Sequence, residues 1–100
     1  MSSQQLTITA EIIAKPGKQE LVKQSLLNLI PPTLQEAGCM NYDLHQDNKN
    51  SNRFFFYENW ETREHWLDHN ASAHIADHKK RTESLIVIVS INEMSPVPLK

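Results

Sequence analysis

Within one short span the chain sets a carboxylate (Glu58), an indole (Trp60) and two imidazoles (His69 and His74). Groups of these types can move protons if a fold brings them to one pocket. Glu58 is the conspicuous one, because it stands in "FFFYENW" (54–60), a stretch otherwise suited to burial. An isolated buried charge is very costly, so that carboxylate must find a partner or water. Histidines are the partners on offer. There are five, His45, His65, His69, His74 and His78; the pairs His65/His69 and His74/His78 are each four apart and share a helix face. His74 is the strongest acid–base candidate, since it falls in the first turn of a helix aimed at the pocket. Tyr42 can offer a phenol there or fill the core. Trp60 and Trp66 are open to the same two readings, as ligand platform or as core.

Metal chemistry is not expected. A His-x3-His pair supplies two ligands, but no third stands out, the HExxH pattern is absent, and the single cysteine, Cys39, falls on a different strand. The only glycines are Gly17 and Gly38, so no glycine-rich phosphate loop exists and no nucleotide cofactor is expected.

The elements that must position these groups follow from periodicity. Residues 5–14 alternate, with Leu6, Ile8, Ala10 and Ile12 on one face of a strand and Thr7, Thr9, Glu11 and Ile13 on the other. Lys15, Pro16 and Gly17 end it in a turn. Residues 18–37 carry apolar positions at helical spacing, and Pro31-Pro32 predicts a kink or break near Ile30. Strands are expected at 39–47, with Met40, Tyr42 and Leu44 on one face, and at 53–60, joined by a polar hairpin over 47–52. Alternation places Phe54, Phe56, Glu58 and Trp60 toward the helices and Phe55, Tyr57 and Asn59 away from them. Thr62 is the expected cap of a helix over 63–69, and a second helical piece runs from Ala73 to about Ser84. A last strand spans 85–93, and the tail from about 95 to 100 reads as irregular. The order β-α-β-β-α-β is that of a ferredoxin-like split βαβ fold, an α+β class, in one domain over residues 1–100.

Composition narrows the partners. Ten basic against twelve acidic residues give a net charge of −2, with no basic stripe for nucleic acid. Residues 85–89, the longest aliphatic run, are far too short to span a membrane, and "MSSQQ" shows no signal-peptide pattern. A lone cysteine suits a reducing compartment, so a cytoplasmic setting is expected. One sheet face would leave Ile13, Phe55, Tyr57 and residues of the last strand bare. A second copy of the chain would cover them.

Taken together, "TITAEI" (7–12) with "KPG" (15–17), "EAGCMNYDL" (36–44), "RFFFYENW" (53–60) and "HNASAH" (69–74) make the chain resemble the antibiotic biosynthesis monooxygenase family, especially its small quinol-monooxygenase-like members. The resemblance implies a dimeric α+β barrel in which two sheets pack face to face. It implies a pocket in each subunit for a small aromatic substrate, a quinol or polyketide-like phenol oxidised with O2 and without cofactor. Carried over, His74 and Trp60 would be catalytic. Tyr42, Phe54, Phe56, Glu58 and His69 would bind or orient the substrate. Haem-degrading relatives have an Asn where this chain has Ile12, and some polyketide-oxidising relatives have an Asn where it has Phe56. The family also includes a sugar-phosphate isomerase, so proton transfer on a small polar substrate is the alternative. A dimeric binding module without turnover is a third reading.

Overall fold

The computed structural model describes residues 5–99; residues 1–4, on which the signal-peptide reading rests, and Lys100 lie outside the described part. The elements are β1 (Leu6–Ala14), α1 (Gln19–Leu34), β2 (Cys39–Gln46), β3 (Arg53–Trp60), α2 (Arg63–Asn70), α3 (Ala73–Thr82) and β4 (Ile86–Met94). The four strands form one sheet in the order β2-β3-β1-β4, every neighbouring pair antiparallel. This is the ferredoxin-like α+β arrangement that the alternation and helical spacing predict. No helix of the described residues is long and apolar enough to cross a membrane.

The core lies between the sheet and the helices. Leu6, Ile8, Ala10, Ile12 and Ala14 of β1 are all buried, and their partners across the ladder, including Phe54, Phe56 and Trp60, are buried with them. Val22, Leu26, Leu29 and Thr33 form the buried stripe of α1 at the expected spacing of three and four. Thr62 and Ser72 cap α2 and α3, each hydroxyl accepting from the backbone N–H three residues on.

Two expectations are corrected. The helix does not break at Ile30: Pro31 and Pro32 lie inside α1, in its last turn. Their missing N–H groups release the carbonyls of Leu27 and Asn28, both exposed residues whose carbonyls water can serve, so the helix runs on to Leu34. Met40 does not share a face with Tyr42. The β2–β3 register shifts between Cys39 and Asn41, so Met40 is an extra residue and exposed, and Cys39 stands opposite Trp60.

The turn between α1 and β2 is held by Gly38, whose φ of +81° suits glycine. A Cβ at Gly38 would come 2.2 Å from Cγ of His65. That ring is itself fixed, its Nδ1 lying 2.8 Å from the Thr62 hydroxyl. Gly17 has nearly the same φ, +82°, but open space around it. Gly38→Ala is therefore expected to destabilise the fold by at least about 2 kcal/mol, combining backbone strain with the clash. Gly17→Ala carries only the strain. Urea unfolding of both variants checks this, and equal losses would remove the clash from the account.

Candidate active site

β2, β3, α2 and the α1–β2 turn bring one group of side chains together. Tyr42 of β2 stacks on Phe56 of β3, with ring centroids 4.3 Å apart. His69, from the last turn of α2, packs its ring 4.8 Å from Trp60 and 5.4 Å from Tyr42. Glu58, opposite Tyr42 across the ladder, accepts the Trp60 indole N–H at Oε1, 2.9 Å away. Among the described residues no second partner holds that carboxylate.

Tyr42, Phe56, Glu58 and His69 border a cavity of about 870 Å³ between the helices and the sheet. Its walls are mostly apolar: Ile8, Ala10 and Ile12 of β1, Leu26 and Leu29 of α1, and Val89 and Ile91 of β4. Tyr42, Glu58 and His69 supply polar atoms to it, and Lys79 is the cation among its lining residues. The β4 side is open, since Val89 and Ile91 remain 56% and 52% exposed. Neither arginine near the strand ends enters. Arg53 is paired with Glu11 and Asp47, and Arg63 with Glu93.

The structure redistributes the expected site residues. Tyr42, Phe56, Glu58 and His69 line the cavity. Phe54 and Trp60 are fully buried and stand behind its wall, so Trp60 meets Glu58 rather than a ligand. His74 also points elsewhere. It borders a smaller polar groove of about 190 Å³ between α1 and α3 and turns Nε2 toward Glu36, 2.6 Å away. Glu58, expected at the pocket mouth with histidine partners, is instead 4% exposed and bonded to an indole.

The carboxylate that the histidines do meet is Glu36, which the sequence reading passed over. It follows α1 in the turn before β2, and one of its oxygens lies 3.0 Å from His69 Nδ1 as well as 2.6 Å from His74 Nε2. The available signal was its place two residues before Gly38, in a turn that must fold back on the helices. Nothing in local spacing ties residue 36 to residues 69 and 74.

Burial sets the electrostatics. Desolvation pushes the Glu58 carboxyl up from 4.5 to about 7; the indole bond opposes this and the negative charge of Glu36 adds to it. Desolvation likewise raises the Tyr42 phenol well above its ordinary value, with Glu58 adding and a hydrogen bond from Thr33 opposing, so it stays protonated at neutral pH. The Cys39 thiol is pushed up to about 11, chiefly by burial, which argues against a reactive thiolate. His69 is shifted downward by burial against the pull of Glu36. A carboxylate can only accept, so neutral His69 carries its proton on Nδ1 and leaves Nε2 as an acceptor. The cavity thus combines an apolar body, a carboxyl able to gain or lose a proton near neutral pH, a phenol that stays a donor and an imidazole of fixed tautomer.

Comparison with known proteins bears on the fold and the family. The crystal structure of PA3566 from Pseudomonas aeruginosa is 33% identical and superposes with a TM-score of 0.92, covering 98% of this chain and 99% of that one. Protein SO0527 from Shewanella oneidensis is 27% identical with a TM-score of 0.86, over 94% of this chain and 92% of that one. An uncharacterized protein, sll1783 of Synechocystis, is 31% identical over 58 residues, 58% of this chain, and the matched stretch spans 40% of that relative's length. The model of the antibiotic biosynthesis monooxygenase family matches residues 5–81, which include every cavity residue named above except Val89 and Ile91 of β4. The chain belongs to the antibiotic biosynthesis monooxygenase family.

Proposed function

We propose that this protein is a cofactor-independent monooxygenase that oxidises a small quinol or phenolic aromatic compound with O2. The observation that carries the reading is the cavity: apolar walls suited to a flat ring, with Glu58 as a buried ionisable carboxyl and no arginine to grip a phosphate.

The chemistry balances without an external reductant. Ionised Glu58 takes the hydroxyl proton of the substrate, and the phenolate that results is electron-rich enough to reduce O2. Tyr42, kept protonated, donates to the phenolate oxygen. A ring carbon ortho or para to that oxygen, one that carries a hydrogen, bonds to one atom of O2. Loss of its hydrogen as a proton, with cleavage of the O–O bond, leaves a carbonyl on the ring. The second oxygen departs with that proton as hydroxide and takes the proton from Glu58 to become water. The substrate supplies all the electrons. His69 Nε2 can accept a hydrogen bond from a second substrate hydroxyl.

Trp60 serves this reading through Glu58, holding one carboxylate oxygen so that the other is free toward the cavity. His74 acts further back, on Glu36. The protein works as a homodimer, the bare sheet faces packed together, in a reducing cytoplasm that suits its unpaired Cys39.

The test is oxygen consumption with a panel of dihydroxynaphthalenes and hydroquinones. Uptake above the autoxidation blank, reduced at least about 100-fold by Glu58→Gln, is expected. Lys79 on the cavity lining makes proton transfer on a small anionic substrate the second reading. No uptake with any compound, followed by proton exchange on phosphorylated ketoses that is lost in Lys79→Ala, would replace the oxygenase with an isomerase.

A further inference from the structure

Glu36, His69 and His74 come from three separate pieces of chain: the α1–β2 turn, the end of α2 and the first turn of α3. Their donor atoms, one carboxylate oxygen and two imidazole nitrogens, all lie within 4.8 Å of one another. We propose that these three side chains form a binding site for one divalent transition-metal ion of the zinc, cobalt or nickel type.

The donor set selects that class. Two imidazoles and one carboxylate suit borderline cations, whereas magnesium and calcium favour all-oxygen shells. The spacing is close to what a metal needs. A cation about 2.0–2.1 Å from each ligand holds neighbouring donors roughly 3.3 Å apart. The Glu36–His69 contact, at 3.0 Å, is nearly there; the Glu36–His74 contact, at 2.6 Å, must open by roughly 0.7 Å.

The two side chains that move are the ones free to do so. Glu36 and His74 are 18% and 24% exposed, against 4% for His69, so they supply both the slack and the entry path. Further oxygens stand by. The Thr33 and Ser72 hydroxyls lie 3.2 Å and 3.3 Å from His74 Nε2, placed to hydrogen-bond a water on a fourth position. In the metal-free protein one carboxylate oxygen accepts two imidazole N–H groups, and a cation would replace both of those hydrogens at one stroke.

Occupancy has a consequence for the cavity. A metal on His69 Nδ1 moves the ring proton to Nε2, so the nitrogen left for the cavity changes from acceptor to donor. It also ties the turn carrying Glu36 to the corner between α2 and α3.

The site is tested with Co2+ added to chelator-stripped protein, followed by visible absorption, calorimetry and thermal melting. The readouts do not involve turnover, so they stand or fall separately from the oxygenase reading. Expected are one Co2+ per chain, a d–d absorption band of a four- or five-coordinate ion, and a melting point that rises with Co2+. Glu36→Gln and His74→Ala alter partly exposed side chains. Each should weaken binding at least about tenfold and lose the band while remaining folded, whereas His45→Ala should leave both unchanged. No band at stoichiometric Co2+, or a band that survives Glu36→Gln and His74→Ala, overturns the proposal.

Discussion

Replacing Glu58 by Gln is expected to abolish turnover and, above neutral pH, to make the protein more stable. Both effects come from the same burial. A carboxyl raised from 4.5 to about 7 carries an ionisation cost on the order of 3 kcal/mol in the folded state. Between those two values the folded chain holds a proton that the unfolded chain has released, so stability falls as pH rises through the window. The cost is absent below 4.5 and complete above about 7. Gln keeps an oxygen for the Trp60 indole and has no charge to desolvate. The melting-temperature advantage of Glu58→Gln should therefore grow from near zero at the acid end to its maximum above neutrality. The activity of the parent should rise over the same window, with kcat/KM approaching a plateau as Glu58 ionises, its inflection near pH 7. Melts of parent and variant across that range decide the matter. A pH-independent difference would mean that Glu58 is not the buried ionising group.

The second large effect concerns assembly. Every residue of β4 after Ile86 is exposed in the single chain, including Val87, Ile88, Val89, Ile91 and Met94. Ile88 pairs with Ile13 across the ladder and shares the helix-free face with Phe55 and Tyr57. Val89 and Ile91 face the cavity, so apolar side chains stand bare on both sides of this edge strand; they are expected to be covered, and a second copy presents the same strand in return. Sedimentation should give the mass of two chains. Ile88→Asp places a charge without a partner in the middle of that contact. It should weaken association at least about 1000-fold, giving monomers at micromolar concentration. Leu67→Asp, at an exposed position on α2, is the control and should leave the dimer intact. A parent protein that sediments as one chain would remove the face-to-face barrel.

Much of the fold was legible because its signals are local. Strand alternation assigned Phe54, Phe56, Glu58 and Trp60 to the covered face, and all four are buried. Hydroxyl residues ahead of helical spacing marked both short helices, and Thr62 and Ser72 do cap them. The proline pair misled, because its cost depends on whether the released carbonyls reach water, which is a property of the helix's position and not of its sequence. Met40 misled because a bulge arises from pairing with β3 and leaves no mark in β2 alone.

The site divides along the same line. The sequence by itself determined that a carboxylate, an indole and several histidines would stand on the covered side of a ferredoxin-like sheet, since periods of two and near four fix the face of each residue. It could not determine which of them would touch. Trp60 bonds Glu58, and the histidines gather on Glu36, across sequence separations of 33 residues for His69. Contacts at that distance along the chain are set by how α1, α2 and the sheet pack, because the angle and depth of packing come from the whole core. The shift of Glu58 toward neutral pH was likewise decided by tertiary structure alone: desolvation depends on what surrounds the carboxyl in space, and every residue that surrounds it arrives there through the fold.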